Sequence, residues 1–370
     1  MVTIRGDLVT STGVEPGWVR VVGDRIDAVG SGVAPQDAEV VETDGLVLPG
    51  LVDIHCHGAL GAAFGDGAAA ARTVTDHHRR SGSTSMLASL VSESPGVLAG
   101  QVGVLSPLVQ DGVVDGIHLE GPYLASACRG AHRADALRDP DVDEIAALLD
   151  LAGGAIRVVT VAPERAGAVE LIELLVARGV RAAIGHTAAS TGETRACLDA
   201  GARIATHLFN AMPALHHRDG GPVLALLDDE RVTCELIVDG HHLDLEVVRW
   251  VWRLLGPARR MLVSDSSPAT GIPDGLVTLG GQAVQVTAGV ARTVAEGALA
   301  GSTSTLLDVV RCAVGSGVPL HEAVTAATAV PAAAVGLADR GELRAGGRAD
   351  LVLTDRGLGL RRVLLAGRWL

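Results

Sequence analysis

The sequence predicts an α/β chain: a (β/α)8 TIM-like barrel with a small β-sandwich domain built from both chain ends. Three observations predict it. Short Val/Leu/Ile runs alternate with amphipathic helical stretches through the middle of the chain, the pattern of strands buried in a parallel sheet. Those runs number eight, and 370 residues suffice for a full barrel plus a small accessory unit. The two termini read instead as short strands broken by turns. Apolar residues make up 48% but aromatics only 2%, so the core must be Ala, Val, Leu and Ile with Gly-rich turns.

In order along the chain, residues 17–22 and 26–29 read as strands joined by a Gly23-Asp24 hairpin turn. The eight barrel strands are read at 51–57, 83–88, 114–119, 156–162, 181–185, 202–206, 232–238 and 261–264. Residues 168–178 typify the helices between them, with Val169, Ile172, Leu175 and Val176 at helical spacing before the stop Gly179. At the C-terminus, 349–354 and 362–367 read as strands flanking a turn at Arg356-Gly357. Neither end has enough strands to make a sheet, so residues 1–48 and 341–370 are expected to combine beside a barrel spanning 49–340.

Net charge is −13 with no basic tract, which argues against nucleic acid or an anionic membrane as partner and favours a small molecule. All 30 basic side chains are Arg, because the chain contains no Lys. No Schiff base, lysine general base or carboxylated-lysine metal bridge is therefore available. Five scattered cysteines, Cys56, Cys128, Cys197, Cys234 and Cys312, form no CxxC pair and fit free thiols in a reducing cytoplasm. No basic leader precedes an apolar run and no apolar stretch reaches membrane-spanning length, so secretion and membrane insertion are not expected.

The first barrel strand ends in His55-Cys56-His57. Alternate residues of a strand point the same way, so the two histidines converge while Cys56 faces away. Active sites of such barrels lie at the C-terminal ends of the strands, and the other chemistry-bearing residues fall there too. Glu120 ends the third strand, His186 the fifth, His207 the sixth and Asp265 the eighth. Imidazoles with a carboxylate suit Zn2+ or Fe2+, and a catalytic site keeps one position open. Glu120, His186 and His207 supply one such set. His55 and His57 could hold a second ion, with Glu120 as the anionic bridge. Asp265 is placed to take a proton from an attacking water and return it to a leaving group. Two other histidines, His77 and His78, are expected on a helix far from this rim, and Trp250 and Trp252 are expected to be packing residues.

Residues 49–58, PGLVDIHCHG, resemble the amidohydrolase superfamily generally. Narrower stretches are 116–122 (GIHLEGP), 185–187 (GHT), 206–212 (THLFNAM), 238–242 (VDGHH), 262–265 (LVSD) and 299–303 (LAGST). In that order, over nearly the whole chain, they resemble the N-acetylglucosamine-6-phosphate deacetylases.

The resemblance implies metal-dependent hydrolysis of an acetamido group on a phosphorylated amino sugar. It implies a divalent cation, zinc first with Fe2+ or another ion open, bound by Glu120, His186 and His207, with one or two ions per subunit because His55 and His57 are both kept. It makes Asp265 the general base and then acid, and places His132 beside the reacting carbonyl. Ala131, Asn210, Ala211, His242, Leu299, Ala300 and Gly301 fall at sugar- and phosphate-contacting positions. Arg218 falls at a phosphate-binding position that reaches the neighbouring subunit, which implies a homodimer or higher oligomer. Ser266 departs from the family pattern, in which alanine is common after the aspartate. Deacylation of N-acetylgalactosamine 6-phosphate or of an N-acyl amino acid stays open, as does a non-catalytic protein on the same scaffold. A role for Cys128, just before His132, also stays open.

Overall fold

Eight parallel strands form one sheet in sequential order in the computed structural model, which describes residues 1–35 and 39–370. Residues 36–38, within the first expected terminal segment, lie outside the described residues. The strands are Leu51–Asp53, Ser83–Leu90, Gly116–Glu120, Ile156–Val161, Arg181–Ile184, Ile204–Ala205, Thr233–Leu236 and Arg260–Leu262. Each coincides with one of the eight expected runs and is followed by a helix, the last by Leu306–Gly315. The sixth strand keeps only two ladder residues because the chain turns inward there, and His207 adopts a left-handed backbone.

Burial explains why these runs are strands. Leu87, Val158, Ala183, Ile204, Met261 and Val263 form one apolar cluster with Val330, Val335 and Leu337 from the chain beyond the last barrel helix. The alternate residues Met86, Ala88, Val159, Ala182, Ile184 and Leu262 pack into the larger cluster that contains the helices. Both faces are thus covered, at roughly 1.5–3 kcal/mol for each fully buried aliphatic side chain. Ser89, Thr160 and Thr206 share the faces of Leu87, Val158 and Ile204 two positions on. Together with His118 they make a buried polar layer: His118 pairs with Ser89 Oγ at 3.0 Å and Thr160 Oγ1 at 2.9 Å, and Thr160 pairs with Thr206 at 2.9 Å.

The first and last strands lie at opposite ends of the strand order. Their closing contacts cluster at the C-terminal rim. Asp265 N–H donates to His55 O at 2.9 Å, and His57 N–H donates to Ser266 O at 2.8 Å. Ser264 N–H donates to Asp53 Oδ1 at 3.2 Å, and burial pushes that carboxyl up to about 6. Ser266 Oγ lies 3.1 Å from both Cys56 Sγ and His78 Nε2. This hydroxyl fills a polar niche, which accounts for serine at the departing position. It also corrects the placement of His78. The residue is on the helix Ala68–Arg80, but its ring reaches Gly58 O and Ser266 at the rim itself.

The chain ends meet in one seven-stranded sheet. Val2–Thr10, Gly13–Val22, Arg25–Gly30 and Glu39–Pro49 join Leu351–Thr354, Leu360–Leu365 and Arg368–Trp369. Leu351–Thr354 pairs antiparallel with Glu39–Pro49, which links the two termini directly. Ile4, Val19, Val21, Ile26, Val47, Leu351, Leu353 and Leu364 form its core. An element not expected from sequence follows the eighth strand: an antiparallel sheet of Gly275–Leu279, Gln282–Thr287 and Val290–Thr293. Trp252 is buried and its indole N–H donates to Glu322 at 2.7 Å, whereas Trp250, expected to pack like it, is largely exposed at the surface.

Candidate active site

At the C-terminal rim a cavity of about 490 Å3 is lined by His57, Glu120, His132, His186, His207 and Asp265, and also by Ala131, Asn210, Ala211, His242, Leu299 and Gly301. His55 lies just beneath it, fully buried. Two expected residues are elsewhere. The Ala300 methyl packs in the core of the three-stranded sheet and its N–H donates to Ala291 O, because alternate residues of this extended turn face opposite sides. Arg218 is exposed on the 216–219 turn, where its Nη1 lies 2.9 Å from His217 Nε2.

Glu120 is the centre of the site. Its Oε1 lies 3.1 Å from His186 Nε2, 3.0 Å from His207 Nε2 and 3.3 Å from His55 Nε2, while Oε2 lies 3.1 Å from His57 Nε2. His186 and His207 Nε2 are 3.0 Å apart, and His55 and His57 Nε2 are 3.1 Å apart. The hydrogen bonds fix the key tautomers. His186 Nδ1–H donates to Cys128 O at 2.8 Å and His55 Nδ1–H to Glu235 Oε2 at 2.9 Å. In their neutral forms both rings therefore aim a bare Nε2 lone pair at Glu120. Lone pairs facing a carboxylate at this range repel, and positive charge at the two foci makes both sets attractive. The donor set fits one or two divalent ions.

His132 also lies 3.1 Å from Glu120 Oε2, close enough to count as a ligand by distance. Its Nδ1, however, accepts the Ser92 backbone N–H at 3.1 Å, so the ring proton sits on Nε2. Burial drives this imidazole down to about 4 and keeps it neutral. His132 is thus a hydrogen-bond donor toward the site and unsuited to bind metal through Nε2.

Burial opposes charge on His55, but Glu120, Asp265 and Glu235 outweigh it and hold its pKa well above the ordinary value. Burial likewise opposes the Glu120 carboxylate, and the surrounding histidines overcome it. Asp265 Oδ1 lies 3.5 Å from His55 Nε2 and 3.4 Å from His57 Nε2. At the cavity's edge, His242 Nδ1–H donates to Asp239 Oδ2 at 2.7 Å, and this carboxylate raises the imidazole pKa against its burial.

His186, His207 and Asp265 all have positive φ, at 47°, 27° and 46°. Such backbone costs on the order of 1–3 kcal/mol per residue and concentrates at functional sites. Gly301, at φ 63°, permits the closest approach: a Cβ there would lie 2.6 Å from Asp265 O, which accepts the Ser302 N–H at 2.7 Å. The turn carrying Leu299 is thereby held against the Asp265 loop. Glu235 escaped the sequence reading. Its one signal is an acid inside the otherwise apolar run 232–238.

The amidohydrolase family model matches residues 46–370. The chain belongs to the amidohydrolase family. It is 36% identical over 363 residues to an N-acetylgalactosamine-6-phosphate deacetylase of Escherichia coli O157:H7, covering 96% of each chain. It is 32% identical to the N-acetylglucosamine-6-phosphate deacetylase of Vibrio furnissii, covering 87% of this chain and 82% of that one. Among solved structures, a mutant of the Mycobacterium smegmatis N-acetyl-D-glucosamine-6-phosphate deacetylase in complex with N-acetyl-D-glucosamine 6-phosphate superposes with a TM-score of 0.96. The identity is 43%, covering 100% of this chain and 98% of that one. Among the described residues, no helix of this amidohydrolase is long and apolar enough to cross a membrane.

Proposed function

We propose that this amidohydrolase removes the acetyl group of N-acetyl-D-glucosamine 6-phosphate, giving D-glucosamine 6-phosphate and acetate. One observation carries the reading: Glu120, His186 and His207 converge to 3.0–3.1 Å in one cavity with a second carboxylate, Asp265, and a neutral N–H donor, His132. Amide hydrolysis needs an activated water, a polarised carbonyl and a protonated amine, and this set supplies each. The likeness to the M. smegmatis enzyme, bound to that sugar phosphate, supports the substrate.

Glu120, His186 and His207 would hold the principal divalent ion, zinc being the first assignment, and His55 and His57 with Glu120 would offer a second position. When bound, the ion polarises the acetyl carbonyl and makes a water nucleophilic near neutral pH. Asp265 removes a proton from the attacking water and delivers it to the departing amine nitrogen. His132 Nε2–H donates to the carbonyl oxygen as negative charge develops on it. Asn210, Ala211, His242 and the 299–301 turn orient the sugar. Arg218 is exposed, outside its own cavity and without a carboxylate partner among the described residues; this leaves its guanidinium available for the role the resemblance implies, binding the phosphate in a neighbouring subunit's site.

The E. coli relative favours a second reading, the C4 epimer N-acetylgalactosamine 6-phosphate. Acetate release decides between them, measured on both phosphorylated sugars, on unphosphorylated N-acetylglucosamine and on an N-acetyl amino acid, with metal-stripped and metal-restored protein. Equal turnover with and without the phosphate overturns the assignment.

A further inference from the structure

Residues 232–238 run Val-Thr-Cys-Glu-Leu-Ile-Val, and Glu235 at their centre is 1% exposed. A carboxylate in a buried strand is costly unless its oxygens are engaged. Here a single oxygen carries two bonds. Oε2 accepts His55 Nδ1–H at 2.9 Å and the backbone N–H of His207 at 3.0 Å. The Glu235 main-chain carbonyl adds a third hold by accepting Leu208 N–H at 2.9 Å. The two Oε2 partners belong to opposite halves of the ligand cluster, His55 to the His57 side and His207 to the His186 side. His207 is also one of the residues held at positive φ.

We propose that Glu235 is a positioning residue that locks His55 with its Nε2 lone pair aimed at the second ion position and ties that ring to the His207 turn. The inference rests on the assignment of Glu120, His186 and His207 to the principal ion. Partners behind a metal ligand typically change affinity by about 10–100-fold. The dependence on Glu235 is asymmetric: the second position loses its ring orientation, whereas the principal position loses only one backbone contact.

Two variants separate reach from charge. Glu235→Gln keeps an oxygen that accepts both bonds and removes the charge, while Glu235→Asp keeps the charge on a side chain too short to meet both donors. Zn2+ titration against a competing chelator reads stoichiometry and both affinities. Histidine-ring NMR reads whether the His55 Nδ1 proton persists. Expected are two ions in the unaltered protein, a second-ion affinity about 10–100-fold weaker in Glu235→Asp with the His55 Nδ1–H signal lost, and less than about tenfold loss in Glu235→Gln with the signal kept. The inference is overturned if Gln is as damaging as Asp, if both ions weaken equally, if both variants bind like the unaltered protein, or if that protein takes one ion. If the unaltered protein binds no zinc or releases no acetate, it is instead the proposed function that fails.

Discussion

Replacing Asp265 by Asn tests the acid–base assignment with little structural disturbance. Asp265 sits at φ 46°, a conformation that asparagine adopts more readily than most residues. Its backbone bonds, N–H to His55 O and O from Ser302 N–H, do not involve the side chain and are retained. The carboxylate faces His55 and His57 Nε2 at 3.4–3.5 Å and accepts from no backbone donor, so none loses its partner. Because the side chain is buried and its charge acts on His55, a destabilisation of about 1 kcal/mol is expected, small enough to keep the fold and read by denaturant melts. Removing a positioned proton carrier typically costs about 10²–10⁴-fold, or about 3–5 kcal/mol of barrier. The expected result is a fall of that size in kcat for acetate release, with KM within a few-fold and the principal ion retained by elemental analysis. A variant within tenfold of full kcat at saturating metal would refute the reasoning.

His132→Ala should lower kcat by about 10²–10³-fold while leaving metal content unchanged, since the Ser92 N–H occupies its Nδ1 lone pair; loss of the principal ion from this variant would show that its tautomer was misread. Arg218→Ala should raise KM for the phosphorylated sugar by about 10–100-fold, the range of hydrogen bonds to charged groups, and leave the unphosphorylated sugar unaffected. Mixing Arg218→Ala with Asp265→Asn subunits should restore activity if the arginine acts across an interface, and no recovery would confine it to its own subunit. Burial depresses His78 from an ordinary value of 6.5 to about 4. The unfolded chain thus binds its proton first as pH falls, and stability present above pH 6.5 declines between 6.5 and 4 by about 3 kcal/mol. Denaturant melts of His78→Gln should show a flatter acid limb than the unaltered protein, and parallel curves would contradict the assignment.

The barrel was readable because its strands are covered on both faces and so appear as mainly apolar runs, as at 156–162, where only Arg157 and Thr160 interrupt the aliphatic residues. The strand ends were less so. The run 202–206 keeps only Ile204–Ala205 in the ladder, since the turn that presents His207 takes the chain off the sheet. The H-x-H pair announced itself through strand periodicity, and Glu120 and Asp265 through their places at strand ends. Glu235 did not, because a residue in mid-strand carries no positional cue until its partners, 180 and 28 positions away, are seen. His78 was misplaced for a related reason: helical periodicity shows that one face of Ala68–Arg80 is buried but not that this face abuts Ser266. The three-stranded sheet has its own hairpin signal at Gly280-Gly281, yet it follows a complete set of eight strands and offered no reason to seek more.

The rim where the first and last strands meet gives the barrel the character of a belt buckled at its working end. Asp53, His55 and His57 on one tongue and Ser264, Asp265 and Ser266 on the other fasten the hoop, and three of them, His55, His57 and Asp265, are also residues of the proposed site. An ion held by His55, His57 and Glu120 would draw the first strand toward the third, and any ion bound only by the folded chain would add about 4 kcal/mol of stability at a thousandfold excess over its dissociation constant. Sequence change on the tongues alters the closure together with the proposed site, whereas Ala298 and Leu299 line the cavity one step away from Gly301, the residue that packs on Asp265. New acyl or sugar preferences are therefore most safely sought at Ala298, Leu299, Asn210 and Ala211, with Gly301 and the buckle left intact.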